Sequence, residues 1–197
     1  PMNLTREAVG LPYFSGNAAK GGIMRRAAAV FLAVLTVGPA WAAEGFRFVS
    51  IDGGTIDLDE WRGKPVLVVN TASLCGYTPQ YADLQALSDH YGDKAVVLAV
   101  PSDDFNQELG SAAEVKDFCE LNYKLTLPMT TIAHVAAGEL DPFYAWLSDT
   151  TGFVPAWNFN KVLIGPDGAF VQAWGSEAQP MGVVKDAMDA VLVAGKS

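Results

Sequence analysis

The sequence predicts a small α/β layered domain. Two continuous apolar runs rich in β-branched residues, PVLVVN (65–70) and AVVLAVP (95–101), have the make-up of strands buried on both faces. Segments with helical spacing follow each run, so strand and helix alternate as in a layered α/β domain. Further on, FNKVLIGPDGAFVQAWG (159–175) carries two more strand-like runs about a PDG turn.

Taken in order, FRFVSID (46–52) alternates apolar and polar residues and passes through Gly53-Gly54 into TIDL, the pattern of a hairpin. DEWRGK closes that entry and leads into the first buried strand. Between Pro79 and Tyr91, the residues Tyr81, Leu84, Leu87 and Tyr91 fall at helical spacing. After the second strand and an irregular stretch, AAEVKDFCELNY (112–123) reads as a helix with Val115, Phe118, Cys119 and Asn122 on one face. PMTTIAHV (128–135) reads as an extended segment. DPFYAWLSD (141–149) opens with an Asp cap and a proline at the first helical position. The hairpin about PDG follows, and MGVVKDAMDAVLVA (181–194) is a closing amphipathic helix. No internal repeat or long linker interrupts this order.

Composition agrees with one globular domain and a leader: of 197 residues, 18% are charged and 50% hydrophobic. The leader is legible in Met24-Arg25-Arg26, followed by the apolar AAAVFLAVLTVGPAWA (27–42), which Pro39 breaks. With Ala40, Ala42 and Ala43 at its end, this is the pattern of a cleaved secretory signal, and the run is short for a membrane span. Residues 1–23 show no apolar periodicity and read as lying upstream of a start at Met24. The expected division is 1–43 as upstream segment and signal peptide, and 44–197 as the folded domain. That domain is expected to be periplasmic or secreted, with no stable membrane association after signal cleavage. The chain has 13 Lys and Arg against 22 Asp and Glu, a net charge of −9; four of the basic and one of the acidic residues precede Glu44, so the exported part carries −12. A domain this acidic repels nucleic acid and anionic lipid surfaces.

Two cysteines occur, Cys75 and Cys119, both in the exported part. An even pair in an oxidising compartment reads first as one structural disulfide, whose closure would stabilise the fold by about 4 kcal/mol. The placement of Cys75 opens a second reading. NTASLCGYTPQY (70–81) ends the first buried strand and opens the following helix. A cysteine there faces unpaired backbone N–H groups and the positive end of the helix dipole, both of which favour the nucleophilic thiolate. Thr78 stands where a Cys-x-x-Cys motif would have its second cysteine. A buried, inert thiol is the blander alternative. His90 and His134 have no spacing with cysteines or carboxylates that suggests a metal site, and no Gly-rich phosphate loop is present, so no cofactor is expected.

Four blocks, NTASLCGYTPQYADLQAL (70–87), VPSDDFNQE (100–108), FCELNYKLTLPM (118–129) and WNFNKVLIGPDG (157–168), resemble in order and spacing the signature blocks of the glutathione peroxidase family. The resemblance covers essentially all of residues 45–195. It implies a thioredoxin-like fold, with a central mixed sheet flanked by helices and an N-terminal β-hairpin, and the reduction of hydroperoxides. Cys75 resembles the family's peroxidatic residue, and Gln107, Trp157 and Asn158 match the other three members of its catalytic tetrad. A Gln amide, an indole N–H and an Asn amide are neutral donors. Converging on Cys75, they would stabilise the thiolate and assist the oxygen that leaves as the O–O bond breaks. Two departures stand out: PSDD (101–104) replaces Pro-Cys-Asn-Gln, and FNQE is one residue shorter than Phe-Gly-x-Gln-Glu, in the loop that presents Gln107.

Cys119, in FCELNY, resembles the resolving cysteine of the two-cysteine, thioredoxin-dependent branch. Peroxide converts a cysteine thiolate to a sulfenic acid, which a second thiol traps as a disulfide before further oxidation. With Cys119 on the inner face of a helix, trapping is expected to require local unwinding. The reductant implied is a thioredoxin-like protein rather than glutathione, and so acidic a domain offers anionic glutathione little to grip. The segment between AWLSD and WNF is too short for an extra tetramer loop, so a monomer is expected. Rival readings are a thiol–disulfide oxidoreductase on the same fold, against which the missing Cys-x-x-Cys counts, and an exported redox sensor.

Overall fold

The computed structural model describes residues 42–43 and 45–195; the expected start at Met24 and nearly all of the expected signal segment lie outside the described residues. The entry hairpin forms from β1 (Arg47–Val49) and β2 (Thr55–Asp57), antiparallel, with Phe48 opposite Ile56. Its turn uses Gly53 and Gly54 at φ +90° and +78°, backbone that a side chain would strain.

A four-stranded sheet follows in the order β4–β3–β5–β6, built from β3 (Val66–Thr71), β4 (Val96–Pro101), β5 (Lys161–Ile164) and β6 (Phe170–Trp174). β3 runs parallel to β4 and antiparallel to β5, so the sheet is mixed. The parallel pair needs a crossover, which α1 (Gln80–Tyr91) supplies. Successive strand residues point to opposite faces. Leu67, Val69, Val97, Ala99 and Leu163 therefore join one core, and Val66, Val68, Leu98, Val100 and Val162 join the other. The first core is covered by α1, by α2 (Ala112–Tyr123) and by α4 (Lys185–Ala194). The second is covered by α3 (Pro142–Thr151) and by Phe48 of the hairpin.

Local signals set the helix ends. Asp141 accepts the Phe143 N–H at 2.9 Å, with Pro142 at the first helical position of α3. Ser111 accepts the Glu114 N–H and donates to the Glu114 carboxylate, a reciprocal cap on α2.

Two expectations need correction, and one holds only over its first residues. PMTTIAHV pairs as an extended segment at Met129, which bridges Ala99 of β4, and at Thr130, which bridges Ser50, and bends from Thr131. At its end, the Asp104 carboxylate gathers the N–H groups of Val135, Ala136 and Ala137 (2.6, 2.7 and 3.1 Å), groups a strand would have spent on a neighbour. Asn122 is exposed, its Nδ2 turned back to the Phe118 carbonyl at 2.8 Å, and the buried residues of α2 are Val115 and Cys119. The closing helix begins at Lys185, because Gly182 (φ −110°, ψ −121°) leaves helical space and sets off the turn Pro180–Val184.

Candidate active site

Cys75 lies in the loop between the end of β3 and α1, at the sheet end where chain crossovers leave room for a site. Thr78 shapes that loop. Its hydroxyl donates to the Ala72 carbonyl (2.9 Å) and accepts the Cys75 N–H (3.0 Å). The position that Cys-x-x-Cys enzymes give to a second thiol is thus spent on holding the backbone. Turns closed by Thr78, Gln80, Tyr81 and Ala82 N–H groups carry the chain from Cys75 into α1. The Tyr77 N–H is directed at Cys75 Sγ, 3.4 Å away, and the side chain is 7% exposed.

Gln107 arrives from the loop between β4 and α2. Asn106 precedes it at φ +54°, a left-handed conformation that asparagine tolerates, and this lets the shortened FNQE loop turn. The Gln107 carbonyl accepts the Leu74 N–H (2.9 Å), so the segment carrying Gln107 is tied to the residue beside Cys75. Its side-chain Oε1 accepts Asn158 Nδ2 at 3.0 Å. Asn158 is fully buried, while Trp157 is 41% exposed with its ring 5.4 Å from that of Phe105. The structure therefore joins Gln107 to Asn158 and both loops to that of Cys75. None of the three side chains hydrogen-bonds the sulfur directly, whose one donor among the described residues is the Tyr77 N–H.

The Trp157–Asn158 turn rests on a polar platform that sequence reasoning did not single out. Asn70, at the end of β3, donates to the Trp157 carbonyl (3.0 Å) and accepts the Asn160 N–H (3.0 Å). Ser176 donates to the Asn158 carbonyl (2.6 Å) and accepts from Asn160 Nδ2 (3.1 Å). Lys161 is fully buried, its Nζ donating to Gln80 Oε1 (2.6 Å) and to the Ser176 carbonyl (3.1 Å). Burial lowers the Lys161 ammonium to about 8, against an opposing pull from Glu177. Phe159, between these groups, takes φ +61°, unusual for a bulky residue, and packs edge-on to Tyr81 with ring centroids 5.3 Å apart. The available signal was polar residues, Asn70, Asn160 and Lys161, inside otherwise apolar strand sequence.

Cys119 lies on α2, 1% exposed, in the same core cluster as Cys75, and both are free thiols. Burial pushes the Cys119 thiol up to about 11; the Tyr81 hydroxyl opposes the rise, and the Glu108 and Glu120 carboxylates add to it. In the closed fold this thiol is a poor nucleophile. A thiol raised above its unfolded value contributes stability that is complete below about pH 9 and lost as pH climbs through about 11. Cys119→Ala is therefore expected to lose less stability than the parent chain across that alkaline window, as read by urea unfolding at stepped pH; equal slopes would contradict a buried thiol. α2 is also thinly anchored. It buries two side chains where α1 buries five, and an open cavity of about 250 Å³ lies beside Cys119, lined by Ile51, Lys116, Leu125, Leu127 and Met129. Phe118 and Tyr123 of α2 are only half-buried against the same core.

The sequence profile of the glutathione peroxidase family matches residues 44–148. The chain is 36% identical over 154 residues to the hydroperoxy fatty acid reductase gpx1 of Synechocystis sp., covering 72% of this chain and 91% of the relative. It is 36% identical over 147 residues to the glutathione peroxidase-like peroxiredoxin HYR1 of Saccharomyces cerevisiae, covering 70% and 90%. Among solved structures, the crystal structure of Trgpx in its apo form superposes with a TM-score of 0.61 at 31% identity, over 77% of this chain and 96% of that one. A thiol:disulfide interchange protein of the thioredoxin family from Chlorobium tepidum superposes with a TM-score of 0.60 at 14% identity, covering 77% and 95%, a likeness of fold. The fold is thioredoxin-like.

Proposed function

Because the chain belongs to the glutathione peroxidase family, we propose that it is a thiol peroxidase in which Cys75 reduces hydroperoxides and Cys119 resolves the product. The observation that supports this reading is the joining of two distant segments to the Cys75 loop: Gln107 through the Leu74 N–H, and Asn158 through Gln107. A thiolate at Cys75 attacks the peroxide, the O–O bond breaks, and the departing oxygen takes a proton as alcohol or water. Neutral amide and indole groups of Gln107, Asn158 and Trp157, turned to the oxygen as the peroxide binds, would stabilise its charge without adding a competing base. The sulfenic acid left on Cys75 condenses with Cys119 once α2 opens, giving an intramolecular disulfide.

A thioredoxin-like protein reopens that disulfide. Leu74, beside Cys75, is 60% exposed and Trp157 41%, apolar surface suited to a protein reductant more than to an anionic tripeptide. The proposed setting is periplasmic or extracellular, after removal of the segment before Glu44, with the domain acting as a monomer. Steady-state peroxide reduction by residues 44–197, with thioredoxin or glutathione as donor, tests the reading. Turnover with thioredoxin several-fold above that with glutathione is expected. Rapid single turnover with poor cycling by either donor would mark a sensor, and failure to consume even one equivalent of peroxide would end the proposal.

A further inference from the structure

Lys161 is fully buried in β5, an interior strand, and alternation along that strand puts it on the face of Leu163, toward the core that α1 covers. Its two acceptors are neutral: Gln80 Oε1 at 2.6 Å and the Ser176 carbonyl at 3.1 Å. Gln80 Nε2 donates to that same carbonyl at 2.7 Å, so ammonium, amide and carbonyl close a ring of three hydrogen bonds. A buried ammonium held by neutral groups carries a desolvation cost that an apolar chain of equal length would avoid. The ring has two outlets, and both end at the Cys75 site. On one side, Gln80 is the first residue of α1; its N–H donates to the Tyr77 carbonyl at 2.9 Å, and the Tyr77 N–H is directed at Cys75 Sγ, 3.4 Å away. On the other, Ser176 Oγ donates to the Asn158 carbonyl at 2.6 Å, and Asn158 Nδ2 donates to Gln107 Oε1 at 3.0 Å. The Gln107 segment returns to the Cys75 loop through the Leu74 N–H at 2.9 Å and through the Ser73 N–H, which Glu108 Oε1 accepts at 3.0 Å. No group in this circuit belongs to α2, so it does not depend on that helix being closed.

We propose that Lys161 is a positioning residue of the peroxidatic step: its ammonium clamps the mouth of α1 to the Trp157–Asn158 turn through Gln80 and Ser176, and so keeps the Cys75 thiol in register with the Asn158–Gln107 pair. This rests on Cys75 being peroxidatic. Lys161 acts through its partners, and no bond is made or broken at it. Hydrogen bonds from an ionised donor are about twice as strong as neutral ones, so the clamp is firm while the amine is protonated. Burial lowers the Lys161 ammonium to about 8, so the clamp is complete at neutral pH and loosens as pH climbs past that value. The charged group that acts on Lys161 is Glu177, exposed in the segment after β6, and it opposes the effect of burial. α1 meets Lys161 with the neutral Gln80, and its cross-strand neighbours are Val69 of β3 and Trp174 of β6.

The test is rapid mixing of the reduced chain with hydrogen peroxide from about pH 6.5 to about pH 9.5. Acid-quench mass spectrometry reads the rate at which Cys75 is oxidised, and a thermal melt accompanies each variant. Lys161→Met keeps the length of the side chain and removes its charge and its donors. It is expected to slow the peroxidatic step about 30-fold at neutral pH, since small misplacements of reacting groups cost up to about 100-fold. Its Tm is expected not to fall, because exchange of a buried charge for an apolar chain is often neutral or stabilising. The ratio of parent rate to variant rate cancels the titrations that both chains share, and is expected to shrink as pH rises through about 8. Ser176→Ala leaves Lys161 in place and cuts the arm to Asn158; a slowing of about 10-fold is expected, with the double variant no slower than Lys161→Met alone. A Lys161→Met rate within about two-fold of the parent overturns the proposal. A slower variant whose ratio to the parent stays constant across the pH range marks a merely structural lysine and overturns it too. If Lys161→Met fails to fold, Ser176→Ala decides: a rate within about two-fold of the parent overturns the clamp. A parent chain that consumes no peroxide overturns the peroxidase reading itself, whereas a reactive parent beside an unaffected Lys161→Met overturns the clamp alone.

Discussion

Cys75→Ser brings peroxide consumption down to the protein-free rate while leaving the melting temperature almost unchanged; this is the largest expected effect of any single substitution. Removal of a covalent nucleophile from a catalytic unit costs on the order of 10⁶-fold. A serine hydroxyl stays protonated near neutrality and offers no polarisable sulfur lone pair to the O–O bond. The fold survives because its contacts here belong to the backbone. Thr78 Oγ1 holds the Cys75 N–H, Ala72 holds Thr78, and Gln107 holds the Leu74 N–H. Cys119→Ser, by contrast, is expected to consume one equivalent of peroxide and then stall. Peroxide assays paired with thermal melts check both. Residual activity in Cys75→Ser above background would move the chemistry to Cys119, since the chain has two cysteines.

Phe159→Ala is expected to be the most damaging change near the site that touches no reacting atom. The ring is fully buried against Tyr81, so its loss costs about 3–5 kcal/mol. In a domain of this size that lowers Tm by roughly 10 °C. Its backbone adds a second, distinguishable effect. At φ +61° any residue with a Cβ carries strain of about 1 kcal/mol or more, which glycine relieves. Phe159→Gly should therefore be at least as stable as Phe159→Ala, the reverse of the usual order, in which glycine is about 0.5–1 kcal/mol worse in regular structure. Calorimetric melts of the two variants decide it, and a glycine variant clearly below the alanine one would show that the turn stores no strain.

Much of the fold was legible because its signals are local. The apolar runs of β3 and β4, the PDG hairpin and the Asp141-Pro142 cap each announce themselves within a few residues. The misreadings occurred where locality failed. PMTTIAHV is extended at Met129 and Thr130 as its composition suggests, but it bends from Thr131, and composition carries no record that its two bridges go to different elements. Asn122 sits at helical spacing from Val115, but near a helix end its amide serves the Phe118 carbonyl instead of the core. The residues that resemble the family tetrad were named from their motifs. Their supports, Asn70, Asn160, Ser176 and Glu108, were not, because a buried polar residue declares its role only through the group it meets.

By itself, the sequence determined the strand–helix order, the two sulfurs and the motif residues that set the chemistry, since periodicity, turn residues and side-chain type are properties of short stretches. Only the tertiary structure decided how Gln107 and Asn158 meet, 51 residues apart, how Glu108 reaches Ser73 across 35, and how Asn70 steadies the turn 90 residues away. Those contacts exist because the mixed sheet sets β3 between β4 and β5 and so brings their loops to one end. Side-by-side placement of strands from distant parts of a chain is a matter of collective packing, which no short window of sequence contains.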